Sequence, residues 1–302
     1  MQKIGAQFAR VFLMGAADVV PGVSGGTIAL VVGIYQHLID SIRDGARALG
    51  TLVKGDFHGF WTRVKELDYL FLVPLGAGIG TAIIALASVI KTQLHDNPEN
   101  MAGLFFGLVA ASVVVALGLL TERTLQGWVL MAVVAVVVFV LLGYQQGPIA
   151  DPSPWAFLGA GAVAICAMIL PGISGSFILL MIGMYGAVIN TIDERNLGDA
   201  ALIALGCVIG LALFSTILGW VLERAFNTVM AALIGLMIGS LRVLWPWPNG
   251  VGVISEDQTE VIDGTGLEWP TADDWFQPVA LAVVAMVVVL GVARLGRRYS
   301  PS

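Results

Sequence analysis

The sequence predicts an all-α polytopic membrane protein built from two inverted-topology repeats, each a re-entrant helical hairpin followed by three transmembrane helices. Three observations carry that expectation. The 302 residues are 58% hydrophobic and only 12% charged, with a mean hydropathy of +0.89, whereas about a quarter of residues are charged in ordinary soluble domains. Six apolar runs approach the roughly 20 residues that a helix rising 1.5 Å per residue needs to cross a bilayer. A Pro-Gly break also interrupts two further apolar stretches, once in each half of the chain.

The first repeat spans residues 1–150. Its hairpin occupies 6–42, where Ala6 to Val20 and Gly26 to Ile42 are apolar legs separated by Pro21-Gly22-Val23-Ser24-Gly25. Each leg holds roughly 16 residues, about 24 Å of helix against roughly 30 Å of hydrocarbon, so the two read as legs that enter and return. Spans follow at 67–90, 101–120 and 128–144. The second repeat, 151–302, has its hairpin at 155–192, broken by Pro171-Gly172-Ile173-Ser174-Gly175, and spans at 200–222, 228–245 and 276–292. Trp128, Trp220, Trp245, Trp247 and Trp275 sit at span edges, as interfacial anchoring requires.

Cytoplasmic loops retain Lys and Arg. If both hairpins return to the side they entered, one face carries Lys3, Arg10, Arg43, Arg47, Lys54, Arg63, Lys65, Arg123, Arg224, Arg294, Arg297 and Arg298, and the other only Lys91, Arg195 and Arg242. Both termini are therefore expected in the cytoplasm, with the acidic loop containing Glu256, Asp257, Glu260, Asp263, Glu268, Asp273 and Asp274 outside. The net charge of −6 is then a solvated outer face, and it speaks against a nucleic-acid partner. Cys166 and Cys207 lie in apolar runs without CxxC or Cys/His spacing, which supports neither a disulfide framework nor a metal site. The first apolar stretch lacks a small-residue cleavage site and reads as a retained segment.

Displacing the chain by 150 residues superimposes the two broken stretches. Pro21, Gly22, Ser24, Gly25, Ile28, Leu30, Gly33, Tyr35, Ile39 and Ile42 fall on Pro171, Gly172, Ser174, Gly175, Ile178, Leu180, Gly183, Tyr185, Ile189 and Ile192. The matches include the helix breakers, which apolar composition alone does not place. An odd number of crossings separates the copies, whether each hairpin leg is a full span or not, so the repeats are expected to be inverted. That symmetry belongs to carriers in which one half rocks against the other.

Non-helical backbone at membrane depth must be buried in protein or line a wet cavity. A helix beginning at such a break offers free N–H groups and positive partial charge, which suit an anion. The expected substrate cradle comprises Pro21, Gly22, Ser24, Gly25, Gly26 and Thr27 with Pro171, Gly172, Ser174, Gly175 and Ser176, for a phosphate or carboxylate. The plainer alternative makes the breaks kinks that let helices pack closely. Asp18 is the one carboxylate deep in an apolar stretch, read either as a proton or cation site or as a helix cap; its counterpart is Met168. Arg10 and Arg43, near the ends of the first hairpin, are the nearest candidates to neutralise a headgroup. Gly22-Val23-Ser24-Gly25-Gly26 also fits the G-x-S-x-G pattern of a serine hydrolase. A nucleophilic serine needs a base, yet His37, His58 and His95 lie in loops or toward a leg end, and Ser176 replaces the last glycine in the second copy.

At Ala17-Asp18-Val19-Val20-Pro21-Gly22-Val23-Ser24-Gly25-Gly26-Thr27, with Gly33-Ile34-Tyr35 and the second Pro171-Gly172-Ile173-Ser174-Gly175-Ser176, the chain closely resembles a bacterial and archaeal membrane family. That family was long catalogued as a domain of unknown function and is associated with translocation of polyprenyl phosphate, in bacteria undecaprenyl phosphate. The resemblance runs from about Phe8 to the last span. It implies a non-enzymatic flippase of the cytoplasmic membrane, without cofactor, that returns the lipid carrier of cell-wall synthesis from the outer to the inner leaflet. The residues alone reach a transporter of a small or lipid-borne anion, leaving open a permease or channel for a soluble anion.

Overall fold

The computed structural model describes residues 11–15, 24–144, 149, 151–248, 267–271 and 274–299. Those residues form helices and connecting turns, with no strand among them. After a helical stretch at 11–15 come α1 (Gly25–Val31), α2 (Tyr35–Val53), α3 (Phe57–Glu66), α4 (Tyr69–Asp96), α5 (Pro98–Leu117) and α6 (Leu125–Leu141). The second half contains α7 (Pro154–Ile169), α8 (Gly175–Met181), α9 (Tyr185–Asp193), α10 (Leu197–Arg224), α11 (Phe226–Ser240) and α12 (Phe276–Tyr299). Many starts are written locally. The side chains of Asp56, Asp68, Thr124 and Asn196 accept from backbone N–H groups in the first turns of α3, α4, α6 and α10, satisfying donors a helix cannot pair itself.

Four of these helices are long and apolar enough to cross a membrane: α4 over Tyr69–Leu86, α5, α10, and α12 over Phe276–Arg294. A fifth is counted if α8 and α9 form one bent span. The expected spans at 128–144 and 228–245 correspond to the shorter apolar helices α6 and α11. α11 stops at Ser240, and residues 241–244 form tight turns, each N–H bonded three residues back, ahead of Trp245-Pro246, where proline disfavours the helical region for the residue before it.

The clearest departure concerns the second hairpin legs. Each was expected as one helix and each is two. α1 ends where Gly33 adopts φ +75°, with Gly33 N–H donating to Leu30 O and Ile34 N–H to Ala29 O. α8 ends in the same way at Gly183, φ +72°, with Gly183 N–H to Leu180 O and Met184 N–H to Leu179 O. Both are Schellman terminations, which need a residue at ease in left-handed backbone. α8 and α9 meet at 113°. The polar stretch at 43–66, between the first hairpin and the first expected span, is largely helical, because α2 runs on to Val53 and α3 follows.

Helix pairing is set by small residues. A Cβ on Gly103 would meet Pro278 and one on Gly107 would meet Ala282, so α5 and α12 run in the same direction. Gly235 abuts Met131 and Gly239 abuts Ala135, which makes α11 and α6 parallel too. α7 and α10 are likewise parallel, through Gly161 on Ile203 and Gly210 on Ala162. There Cys166 Sγ donates to Gly210 O at 3.6 Å and Cys207 Sγ to Gly161 O at 3.3 Å, so the two cysteines act as small packing residues. The main apolar core gathers α1, α2, α4, α5, α10 and α11 around Ile39, Val109, Ile234 and Met237, all 0% exposed.

Candidate functional site

Ser24 and Ser174 occupy the N-cap positions of α1 and α8, both in extended backbone. Each helix has only seven residues, so the positive end expected of a long second leg is here the end of a two-turn helix. The chemistry of the tips rests on individual N–H and hydroxyl groups more than on aligned peptide dipoles.

The two tips touch. Ser24 Oγ donates to Met168 O at 2.8 Å and accepts from Gly26 N–H at 3.0 Å. Thr27 Oγ1 accepts from Gly172 N–H at 2.8 Å, joining residues 145 apart in sequence. Ser174 and Ser176 share a hydroxyl–hydroxyl bond of 2.8 Å. Glycine is required at two of these positions. A Cβ on Gly26 would lie 2.4 Å from Ile169 O, and Gly172 combines φ +92° with a Cβ direction that meets Met237 Cα at 2.8 Å and Ser240 Oγ at 2.9 Å.

Burial differs between the copies. Ser24 and Thr27 are 1% and 0% exposed, and Gly25, Gly26, Ile28, Ala29, Leu30, Tyr35, Leu38 and Ile39 are buried with them. In the second copy Pro171, Gly172, Ser174 and Gly175 are buried, while Ser176, Ile178, Leu179, Leu180, Tyr185, Val188 and Ile189 are only partly covered. Tyr35 is shut in, and its hydroxyl has no hydrogen-bond partner among the described residues.

The structure therefore brings together Ser24, Gly26, Thr27 and Gly172, with Ser174, Gly175 and Ser176 at the head of α8 against α7. Pro21, Gly22, Asp18 and Arg10 lie outside the described residues. Arg43 is engaged elsewhere: Nη1 donates to Glu223 at 2.6 Å, Nη2 pairs with Asp40 at 3.1 Å, and the side chain lies over Gly219 of α10. The hydrogen bond to Glu223 pushes its guanidinium further above the ordinary value, so it is a fixed cation. No charged side chain among the described residues bonds to Ser24, Thr27, Gly172, Ser174 or Ser176.

Sequence reasoning missed Met168, which contributes a carbonyl, and Ser240, whose Oγ faces Gly172. Neither carries a motif. The terminations at Gly33 and Gly183 did carry a signal, a glycine closing an apolar helical run in both copies.

The chain matches the model of a family described as undecaprenyl phosphate translocase-like over residues 14–262. It belongs to that family. It is 37% identical over 295 residues, 94% of both chains, to a Vibrio cholerae serotype O1 protein named polyprenyl-phosphate transporter. A Staphylococcus aureus protein of the same name is 31% identical over 252 residues, 78% of this chain and 84% of that one. No solved structure matches. The matched region takes in both Pro-Gly breaks.

Proposed function

We propose that this protein flips undecaprenyl phosphate, or a similar polyprenyl phosphate, from the outer to the inner leaflet of the cytoplasmic membrane by alternating access, recycling the carrier lipid without covalent chemistry. The observation that carries the reading is the junction of two duplicated helix breaks through Thr27 and Gly172. The names of the Vibrio and Staphylococcus relatives identify the lipid class.

Helix direction supports inverted repeats. Span two of one repeat packs on span three of the other, and both such pairs, α5 with α12 and α6 with α11, are parallel. Direct repeats would make them antiparallel. Because α7 runs parallel to α10, the chain between them has to come back to the side where α7 began, and re-entrance is supported by the seven-residue length of α8 and its 113° bend into α9. α2 touches the start of α4 through His37 and Asp68 and the end of α10 through Arg43 and Glu223. In the orientation with cytoplasmic termini, it lies along the inner face and only α1 returns through the lipid.

The phosphate is held by the N–H and hydroxyl groups of Gly22 to Thr27 and Gly172 to Ser176, which Pro21 and Pro171 free by breaking the helices, with the polyprenyl tail left in the bilayer, and Asp18 carries the coupling proton or cation. Unequal burial fits a carrier with its first hairpin sealed and its second looser; exchanging the two conformations exchanges the side that is open. Proteoliposomes test this by following headgroup movement between leaflets under separate pH and sodium gradients. Ser24→Ala and Ser174→Ala are expected to weaken lipid-phosphate binding without unfolding the protein, and wild-type binding in both variants removes the cradle. Flux of a soluble anion without headgroup movement favours a permease.

A further inference from the structure

A cavity of about 430 Å³ lies where the loop at 120–124 crosses the first turns of α6 and α11, and none of its walls belongs to either hairpin tip. Its volume is within the range of built small-molecule sites, about 300–1,000 Å³. The mouth carries one charge of each sign on adjacent residues, Glu122 and Arg123, and neither side chain has an ion-pair partner among the described residues. The loop bearing them is fixed, because Asn227 Oδ1 accepts from Thr121 N–H at 3.0 Å and from Glu122 N–H at 3.4 Å. Behind this polar mouth the wall turns apolar at Met131 and Ala231, both buried in the α6–α11 contact. Trp128, 44% exposed, stands at the rim as an interfacial anchor.

A polar mouth over an apolar floor at a bundle end is the layout of a lipid headgroup site, and the charges decide which headgroup. A purely anionic one brings its phosphate toward the Glu122 carboxylate. A quaternary ammonium satisfies the sign but has no N–H to donate. We propose that this cavity holds a phospholipid bearing both a phosphodiester and a primary amine, of the phosphatidylethanolamine class. Arg123 takes the phosphate, Glu122 takes the ammonium, and the first acyl carbons lie over Met131 and Ala231. The site is separate from the cradle and does not depend on the transported lipid.

The full chain, purified and stripped of lipid, is titrated with phosphatidylethanolamine, phosphatidylcholine, phosphatidylglycerol and undecaprenyl phosphate, and bound lipid is counted by native mass spectrometry. Phosphatidylethanolamine is expected to bind most tightly. Glu122→Gln is expected to lower its affinity about fivefold, to the level of phosphatidylcholine, as loss of one exposed charge pair implies, while leaving phosphatidylglycerol equal or improved. Arg123→Gln is expected to weaken every phospholipid. Both residues are exposed, so melting temperatures without lipid should match wild type. Equal binding of phosphatidylglycerol, a preference that survives Glu122→Gln, or no binding of phosphatidylethanolamine overturns the proposal. So does undecaprenyl phosphate that binds as tightly as phosphatidylethanolamine and loses that binding in Arg123→Gln.

Discussion

Thr27→Val isolates one of the two hydrogen bonds that join the halves of the chain at their tips, leaving Ser24 Oγ on Met168 O in place. Valine keeps the branched shape of threonine, and position 27 is fully buried, so packing is conserved and only the acceptor for Gly172 N–H is lost. The bereft amide is left in a dry interior, where an unsatisfied group costs about 1–3 kcal/mol. At about 1.4 kcal/mol per tenfold change, the closed junction should open roughly five to more than a hundred times as often. Hydrogen exchange at the Gly172 amide reads that opening directly. The variant should exchange faster by that factor while amides in the middle of α5 keep their wild-type protection, which separates local opening from unfolding. Unchanged protection at Gly172 would show that Thr27 does not hold the junction and would refute the account of Gly172 N–H as bonded to Thr27 Oγ1.

Gly26→Ala places a methyl group 2.4 Å from the Ile169 carbonyl, so it should abolish lipid-phosphate translocation in proteoliposomes. Gly33→Ala meets no atom within 4 Å and costs only left-handed backbone strain, about 1–2 kcal/mol, seen as a lower melting temperature with transport retained. Gly107→Ala should melt several degrees lower than wild type, because its Cβ falls on the Ala282 backbone, whereas Gly76→Ala, with open space around it, should melt within a degree or two.

The duplicated Pro-Gly breaks and the all-helical, membrane-spanning character are legible because each is a local signal: a lost donor and an apolar run of a certain length. The tip-to-tip contact was also inferable, since exposed backbone inside a membrane needs a partner. The bend after α1 and α8 was readable but passed over. Gly33 and Gly183 stood among the matched residues, but reading each second leg as one continuous helix hid their left-handed geometry. The fate of Arg43 was not readable. Nothing local assigns it to Glu223, 180 residues away, and only the packing of α2 across the end of α10 decides that it serves an ion pair. The same holds for Ser240 and Gly172, which meet because α11 passes the second tip.

The hydrogen bonds at the junction also bear on how a substrate could open it. Gly172 N–H and the Ser24 hydroxyl are donors, now spent on Thr27 Oγ1 and Met168 O, which are neutral acceptors. A neutral bond is worth about 0.5–1.5 kcal/mol net, while a bond to a charged oxygen is worth about 1.5–3 kcal/mol. A phosphate can therefore take over both donors at a net gain, and parting the tips and binding the headgroup become one event on the proposed function. A neutral hydroxyl offers no such gain. Undecaprenyl phosphate should consequently accelerate labelling of a cysteine placed at Leu179, on the loosely covered second hairpin, or protect it, whereas undecaprenol should leave the rate unchanged. Equal responses to the two lipids would mean that the isoprenoid tail drives the motion, and the tips would then be hinges that never touch the headgroup.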